Sequence, residues 1–190
     1  MAIAAAVALG ALSAAHAADL AGAEVTVNWL YPDTATTFET QSFTVGPGPE
    51  LTCPGGAVGG GLCGGFQDSS VVDIGANTLS LTITGGDDVW NPAGFNGYEF
   101  SGLSAGGPWS GYTLSTDFSG LDASRITFTP DAVFVNMEGI APTAGESFTI
   151  SLDAGGPVPE PASWALMILG FGMAGATVRR LRGIPGLSRA

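Results

Sequence analysis

The sequence predicts an all-β domain, a single β-sandwich, held between two terminal segments of a different kind. Three observations predict it. Apolar and polar residues alternate with a period of two through the middle of the chain. Glycine supplies 30 of 190 residues, more than double the usual ~7%, and gathers with Pro and Asp between the apolar runs at spacings typical of sandwiches. No stretch of the body carries the 3.6-residue periodicity of an amphipathic helix of three turns.

The first element, 1–17, reads MAIAAAVALGALSAAHA. Residues 2–12 are apolar or Gly, as in the core of a signal peptide, and too short a run to span a bilayer. Ala15 and Ala17 flank His16 as the small residues a signal peptidase reads, which predicts cleavage after Ala17. No Lys or Arg follows Met1.

The body, 18–157, then reads as about nine short strands. Val25, Val27 and Trp29 alternate with Thr26 and Asn28. Leu79, Leu81 and Ile83 alternate with Ser80, Thr82 and Thr84. Ile126 and Phe128 alternate with Thr127 and Thr129, and Val133, Val135 and Met137 take the face opposite Ala132 and Phe134. Phe148, Ile150 and Leu152 alternate with Thr149 and Ser151. Further strands are expected within 38–45, 70–74, 97–101 and 111–116. Two such apolar faces must be buried against each other, and a body of this length encloses one core. A jelly roll is one arrangement this admits; strand order is not readable.

The segment 46–65 holds nine glycines and is expected to be loop throughout, since glycine disfavours helix and strand alike. Cys53 and Cys63 lie inside it. In an exported chain they are expected to pair, closing a short loop that stabilises by roughly 3 kcal/mol on the entropic model.

Charge narrows the function. The chain has 17 acids, five arginines and no lysine, for a net of −12. The body alone carries sixteen acids and one base, Arg125, a net of −15. Such a surface does not hold a phosphate backbone, so nucleic acid is excluded as a partner. The only histidine is His16. A mature body without His or Lys has no Ser-His or Cys-His nucleophile pair, no histidine metal site and no Schiff-base lysine. Arg125 is expected to pair with Asp122 or Asp131 at the surface, for a small gain.

Carboxylates remain. Asp68 with Asp73, Asp87 with Asp88, and Asp117 with Asp122 lie in or beside turns, where calcium takes its ligands and where Asp also serves simply as a turn former. No calcium-loop spacing is present, so no metal ligand is assigned and bound calcium stays open. A carboxylate pair could also hydrolyse a glycosidic bond, though nothing marks one. Trp90 and Trp109 fall in glycine-rich loops, 85–97 and 102–111. Either they stack on sugar rings, as loop aromatics can, or they cap the core.

The last element reads PVPEPASWALMILGFGMAGATVRRLRG over 157–183. Pro157, Pro159 and Pro161 hold an extended lead. Residues 162–178 carry no charge, at the short end of what spans a bilayer, and Arg179, Arg180 and Arg182 would stop translocation and stay cytoplasmic. Residues 184–190 would form a short tail. Gly170, Gly172 and Gly175 fit a dinucleotide-binding spacing. No strand precedes them and no acid follows, so they read as helix-packing residues of a membrane segment.

Pro159-Glu160-Pro161, Trp164, Met167, Gly170-Phe171-Gly172, Gly175 and the arginines resemble the PEP-CTERM sorting signal in its PEPxxW form. The resemblance implies recognition by exosortase, a membrane cysteine transpeptidase, and removal of the segment near the Pro-Glu-Pro triplet. It also implies a Gram-negative cell that exports the body across the inner membrane to its surface, in association with exopolysaccharide or biofilm matrix. The function expected is therefore that of an exported, non-catalytic sandwich that needs no cofactor. The alternative is a secreted carboxylate-dependent hydrolase acting on that polysaccharide.

Overall fold

A computed structural model describes residues 18–54, 62–63, 70–85, 89–155 and 161–182. The expected signal peptide, 1–17, lies outside them. The chain divides into two compact units, 1–155 and 156–190.

The first unit is a two-sheet sandwich whose described residues form ten strands: β1 (Glu24–Leu30), β2 (Thr37–Thr44), β3 (Leu51–Thr52), β4 (Ser70–Ile74), β5 (Thr78–Ile83), β6 (Gly97–Ser101), β7 (Trp109–Thr116), β8 (Ile126–Phe128), β9 (Ala132–Asn136) and β10 (Ser147–Ala154). One sheet runs β2-β1-β6-β9-β8 and the other β3-β4-β5-β10-β7. The pairings are antiparallel.

The period of two places the core. Val25, Val27 and Trp29 are buried, as are Leu79, Leu81 and Ile83, Val133 and Val135, and Phe148, Ile150 and Leu152. Strand residues alternate faces, so each set lines one inner surface. The sheets meet through aromatics. Phe148 of β10 packs against Tyr98 and Phe100 of β6 at ring separations of 6.5 and 6.3 Å. Each such side chain withdrawn from water stabilises by about 1.5–3 kcal/mol. Gly97 shows why glycine enters a strand here. A Cβ at Gly97 would collide with the carbonyl oxygen of Val135 on the paired strand β9, a backbone approach only glycine permits.

Two expectations need correction. The strand order is not that of a jelly roll. β1–β2 and β8–β9 are adjacent pairs and β3–β4–β5 a meander, each within one sheet, whereas a jelly roll is built of two Greek keys. Nor is 46–65 loop throughout, because Leu51 and Thr52 pair with Val72 and Val71 to form β3. Leu51 is buried, and burying that one side chain against β4 outweighs the surrounding glycine.

The chain enters the sandwich at once. The Asp19 amide donates to the Gly106 carbonyl at 2.7 Å and the Leu20 amide to the Ala76 carbonyl at 2.7 Å, and Leu20 is wholly buried. It leaves as promptly. β10 ends at Ala154, and the Gly155 amide donates to the Pro108 carbonyl at 2.7 Å.

The second unit contains one helix, α1 (Pro161–Arg182). Pro161 opens it, the position where a missing N–H and a fixed φ suit a helix start.

Candidate functional site

Pro159 and Glu160 lie outside the described residues, and Pro161 is the first residue of α1. Leu166, Met167, Ile168 and Leu169 are all exposed, followed by Phe171, Met173 and Val178. Successive helical residues point about 100° apart, so four in a row bare apolar surface on nearly every side. A Cβ built at Gly170, Gly172 or Gly175 meets open space, so these glycines pack no neighbour. Arg179 is exposed at the far end; Trp164, Arg180 and Arg182 belong to the helix by backbone. The membrane span expected over 162–178 is not shown. No helix among the described residues is long and apolar enough to cross a membrane. Three glycines, Ser163, Trp164 and Thr177 dilute the apolar run.

Residues 157–182 match the family model of the PEP-CTERM protein-sorting motif. The chain carries that sorting motif. The match spans the triplet Pro159-Glu160-Pro161, Trp164, the Gly170-Phe171-Gly172 core and the arginines Arg179, Arg180 and Arg182. No curated protein and no solved structure matches the chain. The PEP-CTERM motif supports an exported protein processed by exosortase and sorted to the cell envelope or surface.

In the body, Cys53 and Cys63 form the expected disulfide, with Cα atoms 5.5 Å apart. Cys53 directly follows β3, and its amide donates to the Ser70 carbonyl of β4 at 2.8 Å. The bond therefore ties the glycine loop to a sheet edge. Leu62, beside Cys63, is buried in the core.

The two loop tryptophans are core residues, which corrects their reading as sugar platforms. Trp90 is 5% exposed and Trp109 3%. Trp109 opens β7, and its indole N–H donates to the Leu103 carbonyl at 2.8 Å. Trp90 meets Tyr98 edge-on at 6.3 Å. A sugar ring needs an open aromatic face, and neither indole offers one.

Two carboxylates of the expected pairs, Asp117 and Asp122, serve the backbone. Asp117 accepts from the Ser147 amide at 2.6 Å. Asp122 caps the short turn Ala123–Arg125 by accepting from the Ser124 amide at 2.8 Å and from its hydroxyl. Those two hydrogen bonds are the leading reasons its carboxyl lies below the ordinary range, and Arg125 adds a smaller pull. Asp131 is lowered likewise by the Ser104 hydroxyl and amide. Asp73 lies within β4. Asp68, Asp87 and Asp88 fall outside the described residues. Among the described residues no three His, Cys, Asp or Glu side chains gather to hold a metal.

Arg125 also differs from expectation. It donates to the Glu138 carbonyl at 2.7 Å and the Asn136 carbonyl at 3.4 Å, and sits 3.9 Å from the Glu138 carboxylate. The guanidinium thus bonds carbonyls at and just past the end of β9, while the serines bond Asp122 and Asp131.

Two features were not read from the sequence. Glu39 of β2 is 7% exposed. Desolvation pushes its carboxyl up to about 7. Its Oε2 and the Oε1 of Gln41 are buried without a hydrogen-bond partner among the described residues. Counting back from buried Phe43 by twos puts both inside, a signal that was present in the sequence. The second feature is an open groove of about 800 Å³ lined by residues 112–116 of β7 and by Leu121, Asp122 and Ala123. Only tertiary structure brings those two segments together.

Proposed function

We propose that this chain is a non-catalytic β-sandwich protein, exported by Gram-negative cells and cut by signal peptidase after Ala17. On this reading exosortase then removes its C-terminal segment, and the body is retained at the surface in exopolysaccharide matrix. The observation that carries the reading is the position of the sorting motif against the fold. The motif begins at residue 157, just past the backbone bond of Gly155, the last of the sandwich among the described residues. Cutting near Pro159-Glu160-Pro161 therefore removes no strand. A cut after Ala17 likewise spares Asp19 and Leu20, where the backbone bonds and the core of the described residues begin.

The non-catalytic reading draws on the use of Asp117 and Asp122 for turns and caps, and on the burial of Glu39. It requires no cofactor. Retention by polysaccharide is inferred from the kind of sorting signal.

Intact-mass analysis of surface-extracted protein tests the processing. The expected species begins at Ala18 and lacks 164–190. Recovery of the whole C-terminus from cells with active exosortase would refute it. Co-sedimentation with isolated exopolysaccharide, with and without EDTA, tests retention and reports any need for calcium. Release of reducing sugar by the purified protein would point to the hydrolase instead.

A further inference from the structure

A sheet edge is a row of unpaired N–H and C=O groups, and proteins blunt such edges by shortness, inward charge or bulges. The four edge strands here are β2, β8, β3 and β7. β3 has two residues and β8 three. β2 is long, but it turns Glu39 inward and bulges against β1 at Trp29/Leu30. β7 differs from all of these. It has eight residues, WSGYTLST, with no charge and no proline, in a body of net charge −15. Its one irregularity lies at the Trp109 end, opposite Asp153/Ala154.

The groove follows this edge. Five consecutive residues of β7 line it. Side chains alternate faces along a strand, so a groove touching all five runs along the strand edge. It also opens toward the core. Tyr112, Leu114 and Thr116 stand opposite Leu152, Ile150 and Phe148 in register, and directly paired residues share a face. Those β10 partners are buried, whereas Tyr112, Leu114 and Thr116 are only half-buried. Phe128 of β8, 5.7 Å from Tyr112 between ring centres, is half-buried too. The sandwich is thus incompletely closed between β7 and β8.

We propose that the outer edge of β7 is a docking site for an extended segment of another protein, with alternating apolar side chains and basic flanks. Its backbone would extend the sheet by one strand, and its apolar side chains would enter the mouth beside Leu114 and Tyr112. Charge selects the flanks. Asp122 lines the groove and Asp117 follows the end of β7, while Arg125 is committed to Glu138 and two carbonyls. A second copy of this chain would bring another body of net −15 to the same edge, and like charges brought together oppose binding. The proposal stands independently of sorting and of polysaccharide.

The test uses the full chain in mild detergent and a labelled peptide of alternating Val and Thr with Arg at each end, read by fluorescence anisotropy. Binding is expected, with hydrogen–deuterium protection centred on 112–116. A Glu-ended peptide should bind about tenfold more weakly or worse, with the gap closing in high salt. Leu114→Lys, which places a charge in the mouth, should also weaken the Arg-ended peptide about tenfold. Thr113→Lys with Ser115→Lys, at exposed positions, decides the matter where Leu114→Lys fails to fold. Equal binding to these variants, no binding to wild type, or dimerisation of the chain through β7 in ultracentrifugation would overturn the proposal.

Discussion

The two long edges of this sandwich face the same hazard and meet it differently. At one end, β2 points Glu39 and Gln41 inward, and the neighbouring β3 is cut to two residues and pinned by the Cys53–Cys63 bond. At the other, β7 runs eight uncharged residues beside an open groove. The first end accepts a buried carboxyl pushed up to about 7. The second has half-buried apolar side chains beside a groove and no further strand paired to it among the described residues. An inward charge works against a fold through desolvation; an open edge invites partners. A protein that closes one edge at a cost and leaves a groove along the other has edges suited to different tasks.

Removing the anchor of the open edge gives the largest expected effect. Trp109→Ala should destabilise by about 3–5 kcal/mol, as for other large-to-small changes in a core, because the indole is buried and bonded to the Leu103 carbonyl. Urea unfolding measures it. A change below about 1 kcal/mol would mean that the indole is not packed in solution. Next comes the closed edge. Cys53→Ser with Cys63→Ser should cost roughly 3 kcal/mol. Thiol labelling of the denatured, unreduced wild type should find neither cysteine free, and strong labelling of both would refute the bond.

These regions were not equally legible. The alternation of Val25, Val27 and Trp29, or of Phe148, Ile150 and Leu152, announces strands and their inner face, because burial on one side of a sheet leaves a period of two. The disulfide followed from two cysteines in an exported chain. The sorting motif was legible because its order of residues is contiguous. The tryptophans were harder. Glycine around Trp90 and Trp109 signalled loop, yet Trp109 begins β7 and both rings face the core, which local composition does not encode. Arg125 lies nearest Glu138 and bonds the Glu138 and Asn136 carbonyls rather than Asp122, a choice of tertiary path that local sequence does not encode. The groove depends on Leu121 returning beside β7 after a turn, a matter of tertiary path.

The smallest effect sharpens the comparison most. In the fold the Glu39 carboxyl is raised from an ordinary 4.5 to about 7, with desolvation as the cause. Folding therefore takes up a proton between these values, and stability contributed by the protonated form declines as pH rises through that window. Below 4.5 both states are protonated and the residue exerts no pH effect; above 7 the folded protein bears a buried carboxylate and the loss is complete. Asp122 and Asp131, both lowered, act with the opposite sign: their contribution is lost as pH falls below the ordinary carboxylate range. The two windows do not overlap, so the slope above pH 4.5 separates Glu39 from those two aspartates. Glu39→Gln should remove that slope and stabilise the chain at pH 8 by on the order of 1 kcal/mol, with little difference from wild type at pH 4.5. Denaturant midpoints across this range measure it. Parallel pH profiles for wild type and variant would show that β2 carries no buried carboxylate penalty, and that the two edges differ only in length and packing.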